Sequence, residues 1–91
     1  MRLSTTEIPG LVRVELDALM DERGFFARLH CEQEFAQHGL AARMVQTSLS
    51  RTERRGTVRG MHFQWPPARE GKLVRCIGGR IFDAVIDLRP D

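Results

Sequence analysis

Residues 72–88 read KLVRCIGGRIFDAVIDL, with an apolar segment on each side of Gly78-Gly79. A Gly-Gly loop suits the primed turns that join antiparallel strands. In the second segment, every other residue is apolar and shares one face at the strand period of two: Phe82, Ala84, Ile86 and Leu88. The stretch therefore predicts a β-hairpin of residues 72–77 and 80–88, and it favours an all-β fold.

Shorter strand patterns precede this hairpin, and turn residues separate them. The predicted strands are residues 11–16, 25–29, 44–50 and 57–65. Pro66-Pro67 ends the last of them, because neither proline can donate to a ladder. Residues 32–38 predict one short helix that ends at Gly39. We therefore expect residues 1–91 to form one domain, an antiparallel β-sandwich or barrel with at most one short helix.

The composition is that of an ordinary soluble domain. Of 91 residues, 42% are hydrophobic and 29% are charged, and the formal net charge is +2, which argues against a disordered chain. No stretch approaches the roughly 20 apolar residues of a membrane span. Residues 1–7 lack the apolar region of a signal peptide, and two cysteines are too few for a disulfide framework. We expect a cytoplasmic protein with no membrane partner.

The last predicted strand is among the most apolar, yet only Arg89, Pro90 and Asp91 follow it. An apolar strand needs neighbours that cover its face, and few strands remain to supply them. We expect either that the chain is part of a longer protein or that a second chain completes the sheet. In both cases the chain is not a stable monomer.

Two residues are candidates for proton-transfer chemistry. His62, in the stretch Arg59-Gly60-Met61-His62-Phe63-Gln64, is either a general base or a hydrogen-bonded structural histidine. Strand alternation places Arg59 on the opposite face, so the two share a pocket only if the chain bends, most easily at Gly60. Lys72, the only lysine, either stabilises a developing oxyanion or is a solvated strand end.

The sequence offers little for a metal ion or a nucleic acid. The three histidines are widely spaced, and His62-x-Gln64 replaces the His-x-His pair that a barrel metal site uses. We expect no metal and no cofactor. Five arginines against one acidic residue between Arg43 and Arg59 suit either nucleic acid or a small phosphorylated ligand. No aromatic side chain interleaves with them, so we expect no nucleic-acid partner.

Four motifs taken together resemble one family, the dTDP-4-dehydrorhamnose 3,5-epimerases. In order along the chain they are DERGFF at 21–26, RGMHFQ at 59–64, GKLVR at 71–75 and FDAVIDLR at 82–89. The resemblance runs from residue 8 to residue 91 and covers about the N-terminal half of a family chain. It implies a cupin-like jelly roll, here an incomplete half-barrel, that is usually dimeric and has no metal. The implied activity inverts C3 and C5 of a dTDP-4-keto-6-deoxy sugar.

The same resemblance implies the roles of individual residues. His62 matches the catalytic base, and Lys72 matches a cation that contacts the substrate and stabilises the enolate. The substrate-binding residues implied by the resemblance are Arg23, Gln46, Arg59 and, at a position where many members have asparagine, Ser48. The family's acid is a tyrosine from the second half, and this chain has none. A second reading therefore stays open, an inactive half-barrel that binds a nucleotide sugar or acts as a dimerising module.

Overall fold

A computed structural model describes residues 1–41 and 43–90, so Ala42 and Asp91 lie outside the described residues. Strand β1 (Arg2–Thr5) pairs antiparallel with β2 (Val12–Glu15), in a register that sets Arg2 opposite Glu15. The turn between them is tied at Thr6, whose hydroxyl donates to the Leu11 carbonyl at 2.8 Å. Gly10, at φ +90°, gives the turn the left-handed backbone that favours glycine.

A second hairpin joins β3 (Leu19–Asp21) to β4 (Gly24–Phe26) through a two-residue loop. The loop is closed by Asp21, whose Oδ1 accepts a hydrogen bond from the Arg23 backbone N–H at 2.9 Å. Gly24 follows at φ +138°. This is a side-chain turn of the kind that aspartate favours, and it explains why DERG reverses the chain at this point.

Helix α1 (Glu32–Gln37) carries the core of the described residues. Phe35 is 2% exposed and is the only buried residue among those that the structure describes. The His30 ring meets it edge-on, with 4.6 Å between the ring centroids. The helix ends at Gln37, and Gly39, at φ +69°, reverses the chain two residues later, where its N–H donates to the Ala36 carbonyl at 3.0 Å. Glu32 and Glu34 in its first turn complement the helix dipole.

Residues 43–90 contain turns and irregular backbone but form no strand ladder. The predictions of strands at 44–50, 57–65, 72–77 and 80–88, and of a hairpin at Gly78-Gly79, are therefore wrong. A strand exists only where a neighbour accepts and donates its backbone hydrogen bonds, and an alternating sequence does not supply that neighbour. The side chains that were expected to share one apolar face in need of cover are open to solvent, Phe82 at 97% and Ile86 at 63% exposure.

The fold class is nevertheless confirmed. The described residues form two small antiparallel sheets and one short helix, with no closed barrel, as in an incomplete half-barrel. The predicted strands 11–16 and 25–29 are present in shortened form, and the helix ends one residue earlier than expected. Strands β1 and β3 were not predicted. No helix in the described part of the chain is long and apolar enough to cross a membrane.

Two arginines link the later segments to the hairpins. Arg75 Nη2 donates to the Leu29 carbonyl at 3.1 Å, and Arg89 Nη2 donates to the Pro9 carbonyl at 2.6 Å. These bonds span 46 and 80 residues of sequence. They bring the segments that carry Lys72 and the C-terminal residues next to the N-terminal hairpins.

Candidate functional site

Arg23 lies in the β3–β4 loop, where Asp21 holds it. Its Nε donates to Asp21 Oδ2 at 3.2 Å, and its Nη2 donates to the same oxygen. These side-chain bonds, together with the bond from the Arg23 backbone N–H, hold the pKa of Asp21 below its usual value. The side-chain bonds also raise the pKa of Arg23. Since the arginine side chain is 84% exposed, the paired guanidinium projects into solvent.

Arg59 is held by the loop that precedes it. Its Nε donates to Thr52 Oγ1 at 3.0 Å, and its Nη2 donates to the Arg51 carbonyl at 2.9 Å. The loop has its own closing bonds at Thr57, whose hydroxyl donates to the Arg54 carbonyl at 2.7 Å. Arg59 is thus fixed in direction while it remains exposed.

His62 follows Gly60, whose φ of +100° lies in the region that favours glycine. A bulge or bend at Gly60 was expected only if Arg59 and His62 share a pocket, and that they do so stays a prediction. A Cβ atom at Gly60 would lie 3.2 Å from His62 Nδ1, which is closer than ordinary van der Waals contact. The imidazole therefore uses space that only glycine leaves open, and His62 itself is exposed.

The other predicted site residues lie on separate segments. Lys72 Nζ is 3.2 Å from Glu70 Oε1, and both side chains are about half exposed. Gln46 and Ser48 are exposed on the extended segment that precedes the arginine-rich loop. No hydrogen bond or ion pair within residues 1–41 and 43–90 joins any two of the six predicted site residues.

Two open clefts lie elsewhere on the surface. One, of about 630 Å³, follows the β1–β2 turn, and the other, of about 240 Å³, lies beside β3 and β4. Neither is lined by a predicted site residue. In the described part of the chain no three His, Cys, Asp or Glu side chains cluster as metal ligands. That the protein uses no metal stays a prediction.

Sequence reasoning missed the groups that orient the arginines and the lysine. Asp21 and Glu70 each lie two residues before the cation they contact, so the spacings Asp-x-Arg and Glu-x-Lys were available signals. The Thr52–Arg59 bond spans seven residues and depends on how the loop folds. Spacing alone gave no signal for it.

Comparison with known proteins identifies the family. The profile described as dTDP-4-dehydrorhamnose 3,5-epimerase matches residues 5–91, nearly the whole chain. The chain belongs to the dTDP-4-dehydrorhamnose 3,5-epimerase family. The match includes all six predicted site residues, and the resemblance noted from the four motifs is confirmed.

Individual relatives of this epimerase-family chain agree with the profile. The dTDP-4-dehydrorhamnose 3,5-epimerase of Methanothermobacter thermautotrophicus is 42% identical over 97% of this chain and 46% of its own length. That of Shigella flexneri is 38% identical over 98% of this chain and 49% of its own. A dTDP-4-dehydrorhamnose 3-epimerase of Streptomyces niveus is 38% identical over 98% of this chain and 43% of its own. The chain thus spans about half the length of these relatives. No solved structure matches it.

Proposed function

We propose that the protein is a sugar-nucleotide epimerase that acts at C3 and C5 of a dTDP-4-keto-6-deoxy sugar. The observation that carries the proposal is the 42% identity to a named 3,5-epimerase over 97% of the chain. The matched region contains a histidine, a lysine and two arginines, which suit the base, the cation and the phosphate ligands of such a reaction. The reaction moves protons without redox change, so the proposal includes no metal and no cofactor.

His62 is the proposed base. The C4 ketone acidifies the C–H bonds at C3 and C5, so a neutral imidazole at hydrogen-bond distance can remove the proton. One observation supports this role: His62 is exposed, and Gly60 places no Cβ atom against its ring. Loss of the proton to His62 leaves an enolate. A proton that reaches the opposite face of the carbon, from solvent or from the acid that the second half of a family chain supplies, inverts it.

Lys72 is the proposed cation for the enolate oxygen. An ammonium group aimed at the C4 oxygen stabilises the charge that develops there. Its contact with Glu70 is an exposed pair, which is worth little in water. The lysine therefore gives up this partner at small cost when a substrate oxygen replaces it.

Arg23 and Arg59 are the proposed diphosphate ligands, and Gln46 and Ser48 the proposed polar contacts to the rest of the substrate. A guanidinium matches phosphate oxygens in charge and geometry, and it pairs with two of them at once. Both arginines project from loops, and each is already oriented by a neighbour, Asp21 or Thr52. All four proposed contacts are exposed, so a ligand can reach them.

We also propose that the protein works as an assembly, either a homodimer or a complex with the half of the fold that relatives carry beyond this region. Its accessible surface is 9141 Å², whereas a compact monomer of this mass exposes about 5,400 Å². The excess includes apolar side chains along residues 81–88.

We further propose that the protein is cytoplasmic. Both cysteines are free thiols, which agrees with that location.

Deuterium exchange tests the activity. The protein is incubated with dTDP-4-keto-6-deoxyglucose in deuterated water, and the sugar protons at C3 and C5 are followed by NMR. We expect both signals to disappear as deuterium enters from solvent, and an inverted product to form. Absence of exchange at both carbons, from protein that circular dichroism shows to be folded, would reject the proposed activity.

A further inference from the structure

The Arg59 guanidinium is anchored at two points and open at the rest. It has five N–H donors, and its loop takes two of them, the Nε–H on Thr52 Oγ1 at 3.0 Å and one Nη2–H on the Arg51 carbonyl at 2.9 Å. Within residues 1–41 and 43–90, no other acceptor bonds to this group. Three donors of this exposed side chain therefore have no partner in the described residues.

We propose that Thr52 is a positioning residue, which presents the open edge of Arg59 to the diphosphate of the nucleotide sugar. The inference rests on the proposed function, which makes Arg59 a diphosphate ligand. The inference adds Thr52, a residue that does not touch the ligand itself. The Thr52 hydroxyl accepts a hydrogen bond from Arg59 Nε, the donor nearest the aliphatic stem, and this bond sets the direction of the rest of the guanidinium.

The loop has closing bonds that do not involve Thr52. The Thr57 hydroxyl and backbone N–H both donate to the Arg54 carbonyl, at 2.7 and 3.4 Å, and these bonds close the turn at Gly56. The Thr52 side chain instead bonds to the Arg59 side chain. Loop closure and arginine orientation thus rest on two different threonines, which gives the test a matched control.

Charge in the loop also favours an open Arg59. The one carboxylate between residues 43 and 59 is Glu53, and it pairs with Arg51, with 3.3 Å between Oε1 and Nε. Arg59 is therefore held by neutral oxygens, which orient it without cancelling its charge. Arg23 differs, because a carboxylate oxygen of Asp21 occupies its donors.

Pre-orientation has a measurable worth in binding. A free arginine loses side-chain rotamer freedom when it grips a phosphate, and an anchored one has already lost much of it. Ordering one such side chain corresponds to about two- to tenfold in affinity. We expect Thr52→Val, which keeps the shape and removes the hydroxyl, to weaken dTDP binding by that factor.

The test is a double-mutant cycle in the intact protein, with dTDP as the probe in titration calorimetry. Thr52→Val is measured alone and with Arg59→Lys, because lysine has no Nε–H for the threonine to hold. We expect the loss caused by Thr52→Val to vanish in the Arg59→Lys background. Thr52→Ser should bind dTDP within about twofold of the parent, because it keeps the oxygen. Thr52→Ala serves as the second hydroxyl-free variant if the valine variant does not fold.

The control is Thr57→Val, which loosens the loop closure but leaves the Thr52–Arg59 bond. We expect it to lower the unfolding midpoint more than Thr52→Val does and to change dTDP affinity less. Suppose that Arg59→Lys weakens dTDP binding. The inference is then overturned if Thr52→Val binds dTDP as tightly as the parent, or if Thr52→Val costs as much affinity in the Arg59→Lys background as in the parent. If Arg59→Lys itself binds dTDP as tightly as the parent, the proposed role of Arg59 fails as well.

Discussion

Arg23 and Arg59 are held in chemically different ways. Asp21 places a carboxylate on the donors of Arg23, so an incoming diphosphate must use the remaining donors or displace Asp21. Thr52 and a backbone carbonyl hold Arg59 with neutral oxygens, so its charge stays available. We therefore expect Arg59 to contribute more to diphosphate affinity than Arg23, because no competing anion has to leave.

A third arginine, Arg89, makes a pH prediction. Its side chain and backbone N–H donate to Asp87, and these bonds lower the pKa of that carboxyl from 3.8 to about 2. Because the folded pKa is lowered, the stabilisation is fully present above pH 3.8 and is lost as the pH falls towards 2. An NMR titration of Asp87 should therefore have its midpoint near 2.

Arg89→Gln tests the cause of that shift. The backbone N–H of residue 89 still donates in this variant, so the Asp87 midpoint should rise part of the way towards 3.8. The variant also removes the bond to the Pro9 carbonyl. A midpoint near 3.8 in the parent protein, or one that Arg89→Gln leaves in place, would contradict the account.

Gly60 makes a second prediction at this scale. Alanine at φ +100° is strained by about 1–3 kcal/mol, and its Cβ would lie 3.2 Å from His62 Nδ1. We expect Gly60→Ala to displace the imidazole, and to lower both the free energy of unfolding and the exchange rate at C3 and C5. Gly78→Ala is the control, because Gly78 has an ordinary φ and open space around it. Equal effects from the two variants would refute the steric role of Gly60.

At the scale of elements, helix α1 depends on one side chain. Six residues are too few for a helix to persist in water on propensity alone, so the burial of Phe35 at 2% exposure holds it. Phe35→Ala should cost about 3 kcal/mol in the free energy of unfolding and reduce the helical signal in circular dichroism. Gln33→Ala, on the exposed side, should change it by less than about 0.5 kcal/mol. A Phe35→Ala chain as stable as Gln33→Ala would show that the core lies elsewhere.

Elements with a local cause were predictable from sequence. The helix has an apolar residue between polar ones and a glycine at its end, and the β3–β4 turn has an aspartate that bonds two residues ahead. The failed prediction at residues 72–88 has the opposite cause. Its alternating pattern describes a face that needs cover, and Gly79 does have the positive φ of a turn glycine. The pattern does not predict which distant segment of chain would pair with this strand.

The same limit applies to the site at the scale of the whole molecule. The family resemblance implied the roles of the site residues, and the chemistry of proton abstraction next to a ketone agrees with a base, a cation and phosphate ligands. Whether these residues converge could not be predicted from sequence, because Arg23, the Arg59–His62 stretch and Lys72 lie on three segments whose relative placement depends on long-range packing. In the described residues each one contacts only near neighbours in sequence.

The open fold and its exposed apolar side chains predict association. The radius of gyration is 15.4 Å, against about 12 Å for a compact chain of this length. Apolar side chains such as Phe82 are exposed to water. We expect sedimentation to report a mass above 10.4 kDa, and Phe82→Asp to weaken the association. A folded monomer that persists at all concentrations would refute the proposed assembly.

The proposed function depends above all on His62 as the base that removes the proton beside the ketone. The most direct test is the initial rate of deuterium entry at C3 and C5 in the parent, His62→Asn and His38→Asn, each as the assembled protein. A positioned base contributes about 10²–10⁴-fold, so His62→Asn should lose at least a hundredfold while still binding dTDP. His38, whose Nδ1 lies 2.9 Å from the Glu34 carbonyl oxygen at the helix end, should be replaceable with little change in rate. Exchange by His62→Asn within a few-fold of the parent would contradict the account.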